Sequence, residues 1–141
     1  MGTRVARSSR IALYARVLFL AGRTCEAKRE ADRSLELARE VGERSSEVFA
    51  LLVLSQLAIG SDRTETEAAA AVSYLIQAME IAKELGHHPS VAHCDLGLGR
   101  LFRRTNERSK SKEHLALAAA LYRETGMPYY LRQAEQELAD A

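Results

Sequence analysis

Four side chains able to ligate a metal, His87, His88, His93 and Cys94, crowd into one short stretch. Zinc would be the natural ion for such a set, but His93 and Cys94 are neighbours in the chain. On a helix they point about 100° apart, a poor start for shared coordination. His87 and His88 read instead as solvated residues of a helix junction, and neither a metal nor a cofactor is expected. Gly97-Leu98-Gly99 begins like a dinucleotide fingerprint, yet the third glycine would have to stand where Phe102 does, and the motif lies inside a helix instead of opening one. Two interior glycines cost roughly 1 kcal/mol each relative to alanine, so they imply close helix packing. Serines and carboxylates follow the solvent-facing helical period, and no nucleophile is paired with a histidine and an orienting acid. Enzymatic activity is not expected. Arg100, Arg103 and Arg104 are spaced i, i+3, i+4, which makes a single basic ridge on a helix.

These residues must be positioned by helices. The chain has 141 residues, 47% hydrophobic and 28% charged, with 20 basic against 19 acidic side chains. A net charge of +1 gives no bulk field to attract nucleic acid. Alanine, leucine, glutamate and arginine dominate, tryptophan is absent and there are only 2 prolines, a mix that favours helix throughout. Cys25 and Cys94 lie far apart with no C-x-x-C pattern, as expected of reduced thiols in a cytoplasmic protein. The longest apolar run, 48–59, is broken by Ser55 and Gln56 and is too short to span a bilayer.

Gly22, Gly42, Gly60, Gly86 and Gly126 each follow an apolar-periodic run, and Asn106 does so between Thr105 and Glu107. Glycine and asparagine tolerate the left-handed conformation that ends helices. Six stops predict seven helices, at 5–21, 25–41, 46–59, 65–85, 89–104, 109–125 and 128–140. Thr64 with Glu67 forms a capping box for the fourth.

The chain also repeats itself. Leu37-Ala38-Arg39-Glu40-Val41-Gly42, Ile81-Ala82-Lys83-Glu84-Leu85-Gly86 and Leu121-Tyr122-Arg123-Glu124-Thr125-Gly126 share one pattern, their glycines 44 and 40 residues apart. Such periods mark helical arrays. In register, Leu98, Gly99 and Phe102 correspond to Tyr14, Ala15 and Leu18, and to Leu54, Ser55 and Ala58. On the second helices Ser111, Leu115 and Ala118 correspond to Ala27, Ala31 and Ser34, and to Ala71, Leu75 and Ala78. Leu98, Gly99 and Phe102 form the L-G-x-x-[YF] of a tetratricopeptide first helix, and the small–bulky–small run of the following helix resembles its partner. The expected fold is all-α: a tetratricopeptide-like solenoid of three antiparallel hairpins, at about 5–42, 46–86 and 89–126, in a single domain. A seventh helix at 128–140 caps it through Tyr130, Leu131, Ala134 and Leu138, with Arg132, Gln133, Glu135 and Glu137 facing water.

Over 91–139, and more weakly back to about Ile11, the chain resembles the C-terminal tetratricopeptide region of bacterial multidomain regulators. These are adenylate cyclase–ATPase–tetratricopeptide fusions and LuxR-type or MalT-like regulators. Asn106 departs from the glycine usual at that position. The resemblance implies a non-catalytic interaction module, with no catalytic residue to carry over and no phosphate loop or DNA-binding segment present. Arrays of this kind line a concave groove with the first helix of each hairpin. That places Arg16, Phe19, Gln56, Arg100, Arg103 and Arg104 in a partner-binding groove suited to an acidic peptide or protein, with a small-molecule inducer as the alternative occupant. The competing reading of the arginines is a solvated stripe with its stems on the core. Leu18, Phe19, Leu20, Phe49, Leu52 and Leu54 exceed what one helix face can hide: either the helix is buried on both sides within the stack, or the uncapped N-terminal end offers a surface for partner binding or self-association.

Overall fold

The computed structural model describes residues 2–61 and 65–140, with side chains at 10–59 and 67–140. The described residues contain seven helices and no strand: α1 (Gly2–Leu20), α2 (Thr24–Val41), α3 (Arg44–Ser61), α4 (Glu65–Leu85), α5 (His88–Arg104), α6 (Arg108–Thr125) and α7 (Pro128–Asp140). The seven expected helices are therefore present, with ends displaced by at most a few residues. Gly60 is the exception among the expected stops, because α3 runs through it to Ser61. The expected capping box includes Thr64, which lies outside the described residues.

One turn geometry joins five of the helix pairs. After α2, the Gly42 N–H donates to the Arg39 carbonyl at 3.2 Å and the Glu43 N–H to the Ala38 carbonyl at 2.9 Å. Two orphan carbonyls of the helix end are satisfied in this way. Glu43 then accepts the Glu47 N–H at 3.0 Å, so the residue that closes α2 also opens α3. The same bonds recur around Gly22, Gly86, Asn106 and Gly126, all at positive φ. Asn106, at φ 68°, is the sole non-glycine among them. Its short polar side chain makes the left-handed well tolerable. Within each unit, two-residue turns of this kind fold α1 back on α2, α2 on α3, α5 on α6 and α6 on α7.

The helices form two compact units, one ending at Ile81 and the other beginning at Ala82. In the first unit α1 packs on α2, α2 on α3, and α1 also on α3. In the second α5 packs on α6 and α6 on α7. The facing pairs Gly99–Ser111, Asp95–His114 and His93–Tyr122 run down α5 as they run up α6, which makes that hairpin antiparallel. Small residues sit where the helices approach. Ala15, Ala27, Ala31 and Ser34 are buried in the first hairpin and Gly99, Ser111 and Ala118 in the third, while Ser55, Ala71 and Ala78 are buried at the equivalent positions of α3 and α4. The seventh helix seals the third hairpin. Ala134 joins Ala92, Leu96, Leu115, Ala118, Ala119 and Tyr122 in one core, flanked by Tyr130, Leu131 and Leu138.

The tightest approach is at Gly99. The Ser111 hydroxyl donates to the Gly99 carbonyl at 2.8 Å. A Cβ on Gly99 would stand 2.7 Å from both Cγ and Cδ2 of the fully buried Leu115. Gly99→Ala gains roughly 1 kcal/mol of helix propensity but must displace Leu115 at a cost of about 1–3 kcal/mol. The expected net result is a less stable protein. In urea titrations Leu115→Ala should then cost less in the Gly99→Ala background than in the wild type, since the two groups compete for one space; strict additivity would contradict that contact.

Candidate functional site

In the first unit, α1 buries Ala12, Ala15 and Leu18 and presents Leu13, Tyr14, Val17 and Leu20 outward, exposed by 53, 52, 54 and 76%. Helical spacing gathers these four on one stripe. Arg16 is exposed beside Val17, Phe19 is half-buried, and Gln56 is exposed on α3. Of the apolar residues singled out in the sequence, Leu18 and Leu54 are buried, Phe49 and Leu52 are half-buried, and Leu20 is the one left open. Tyr14, aligned in the sequence with the buried Leu54 and Leu98, is exposed, and Leu13 and Val17 do not stand out in the sequence because they match the apolar period of a buried face as well as Leu18 does. Arg39 ties the unit together on another side, donating to Glu47 and to Gln77, both at 3.2 Å.

A cleft of about 540 Å³ opens between α2, α3 and α4. Leu54, Leu57, Ala58 and Ala70 form its apolar lining, with Lys28, Arg29, Asp32, Glu67, Tyr74 and Cys25 around them. Lys28 donates to Asp32 at 3.0 Å.

In the second unit polar side chains pair across neighbouring helices. Arg100 donates from Nε to Glu137 of α7 at 2.8 Å and from a terminal nitrogen to Gln133 at 3.4 Å. Glu137 and Gln133, expected to face only water, are thus half-buried partners of Arg100. Arg103 and Arg104 are exposed in the last turn of α5. The six residues assigned to a groove therefore fall as Arg16, Phe19 and Gln56 in one unit and Arg100, Arg103 and Arg104 in the other.

Beneath that surface His93 and Asp95 each reach across to α6. The Tyr122 hydroxyl lies 2.6 Å from Nδ1 of His93, and the His93 ring meets Tyr130 edge-on at 4.7 Å between centroids. Burial pushes the Tyr122 phenol up, so it is the O–H donor of this pair. Burial, aided by the charge of His87, holds the His93 imidazole below its ordinary value, favouring the neutral acceptor. Asp95 is buried and 2.9 Å from Nδ1 of His114. Burial raises its carboxyl, against the hydrogen bond and charge of His114. His114 in turn stacks on Phe102 at 5.5 Å, with Lys110 over the other ring. Cys94 is buried with its thiol pushed up to about 12, chiefly by burial; it is an inert core residue. His87 and His88 are exposed at the α4–α5 junction. Among the described residues no group of three or more His, Cys, Asp or Glu could hold a metal ion, and no helix is long and apolar enough to cross a membrane. The sequence reading missed both histidine pairs, although Asp95 amid Cys94, Leu96 and Leu98 was a visible sign of a buried acid needing a partner.

No family model and no curated protein matches the chain. Among solved structures, the crystal structure of the apo form of RapI superposes with a TM-score of 0.84 at 20% identity, over 96% of this chain and 36% of that one. The likeness supports an all-α, tetratricopeptide-like helical-repeat fold. The chain spans about a third of the length of that neighbour.

Two outcomes test this geometry. Arg100→Ala should loosen α7 by about 0.5–1 kcal/mol, the range of a partly exposed pair, and the reciprocal exchange Arg100→Glu with Glu137→Arg should recover most of it in denaturant titrations. His93 favours its neutral form in the fold, so its contribution is complete above about pH 6.5 and is lost as the pH falls below that value. Asp95 acts in the opposite sense and in the carboxylate range, contributing at low pH and less as the pH rises through its elevated value. The thermal midpoint should therefore fall between pH 7 and pH 5 more steeply in the wild type than in His93→Gln; equal slopes would count against the assignment.

Proposed function

We propose that this chain is a non-catalytic protein-interaction module that receives an acidic, amphipathic helical segment of a partner protein on the outer face of α1. The stripe Leu13, Tyr14, Val17 and Leu20 carries this reading. In register, Leu13, Tyr14 and Val17 correspond to Val53, Leu54 and Leu57 of α3, which are exposed by only 2, 2 and 4%. α3 is flanked by α1 and α2, the hairpin that precedes it. The repeat thus indicates the kind of occupant that suits these positions: a helical layer of the same type. Charge narrows the choice. Arg16 is exposed beside Val17 and the α1 sequence holds no carboxylate, so a second copy would set like charges together, whereas acidic flanks would complement them. Phe19 and Gln56 would extend that surface within the first unit; in the second unit Arg103 and Arg104 would meet acidic segments, beside Arg100 in its pair with Glu137.

The resemblance over 91–139 extends the proposal: the module is the tetratricopeptide arm of a bacterial cytoplasmic regulator, gating an upstream domain. The native gene product should then have a mass well above the 15.6 kDa of this chain; a native mass of 15.6 kDa would replace the tail with a free adaptor.

The docking surface is tested with a synthetic leucine-striped helical peptide flanked by glutamates and its lysine-flanked counterpart, read by fluorescence anisotropy. The glutamate peptide should bind, the lysine peptide should not, and Val17→Glu should weaken binding at least about tenfold, or roughly 1.4 kcal/mol. Equal binding of both peptides, or of neither, would refute the surface. A dimer dissolved by Val17→Glu would make a second copy the occupant, and tight binding to anionic vesicles lost in the same variant would make it a bilayer; either replaces the proposal.

A further inference from the structure

The cleft between α2, α3 and α4 has a cause that the internal repeat makes visible. Ala58 of α3 occupies the bulky position of the first-helix pattern, where α1 has the buried Leu18 and α5 has Phe102. On the second helices, Ala70 and Tyr74 of α4 correspond to Lys110 and His114 of α6. In the third hairpin these three positions fill one another's space, with Phe102 stacked on His114 and Lys110 over the ring. In the second hairpin two of the three are alanines, and about 540 Å³ stands open beside Tyr74. A volume of that size, mainly apolar with a few polar groups at its edge, is in the range of small-molecule sites.

We propose that this cleft binds a small aromatic carboxylic acid, whose ring takes the place that Phe102 fills in the third hairpin and whose carboxylate meets Arg29. Tyr74, in the place of His114, offers the aromatic face for the ring. The charged lining selects the head group. Lys28 and Asp32 neutralise each other at 3.0 Å, and Glu67 has an interaction of its own. Arg29 has no such partner among the described residues and presents the planar fork that suits a carboxylate. The site is separate from the α1 face and does not rest on partner docking there.

Cys25 supplies the readout, since it is exposed and lines the cleft, while Cys94 is buried with an unreactive thiol. The rate of iodoacetamide alkylation of the full chain, followed by intact mass, is compared with saturating 3-phenylpropionate, 3-phenylpropanol or 3-phenylpropylamine. Phenylpropionate should slow alkylation of Cys25 at least about fivefold, well beyond the alcohol and the amine. Arg29→Glu should abolish the difference between acid and amine. Ala58→Phe should abolish protection altogether while raising the thermal midpoint, because it rebuilds the packing of the third hairpin; the raised midpoint shows that the variant folds. Absence of protection in the wild type, equal protection by all three compounds, or protection surviving Ala58→Phe would overturn the proposal.

Discussion

The close approach of paired helices at small residues is the constraint from which the rest of this structure follows. At Gly99 the Leu115 side chain lies where any Cβ would have to be, and the Ser111 hydroxyl bonds the Gly99 carbonyl across the gap. Two interior glycines in α5 weaken it as an isolated helix; packing against α6 compensates. The turns enforce the approach. A left-handed residue followed by one that serves both helices leaves no slack, so the register of the first and third hairpins is set within a residue or two.

Once register is fixed, equivalent positions can be compared directly, and the exceptions become informative. Tyr14 and Val17 are exposed where Leu54 and Leu57 are buried, and Ala58 leaves space where Phe102 fills it. Neither feature is a defect of packing in the ordinary sense. Each is a place where one hairpin lacks a contact that another hairpin has, and the proposed occupants, an outer helical layer at α1 and an aromatic ring beside Tyr74, are those that would supply it.

The polar side chains show a different economy. Asp95 and His114, His93 and Tyr122, and Arg100 with Glu137 pair across neighbouring helices. No buried side-chain nitrogen or oxygen lacks a partner among the described residues. Satisfied cross-helix pairs fix how α5, α6 and α7 sit on one another. The proposed partner and ligand accordingly meet the exposed apolar stripe and the cleft and not these titratable groups.

The sequence by itself determined the helices, their turns and the repeat, because these depend on local chemistry. Gly42, Gly86, Gly126 and Asn106 bring left-handed tolerance wherever they stand, and apolar period reports a buried stripe without reference to a neighbour. It also identified Leu98, Gly99 and Phe102 as a packing motif. Local signals failed at Gly60, where a glycine that could end a helix is carried through one. Tertiary structure alone decided which apolar faces are covered, since Leu13 and Leu18 are alike in type and differ only in what packs against them. It alone joined Arg100 to Glu137 and His93 to Tyr122, partners 37 and 29 residues apart. Covering and pairing are relations between distant residues, and the pattern along one helix does not contain them.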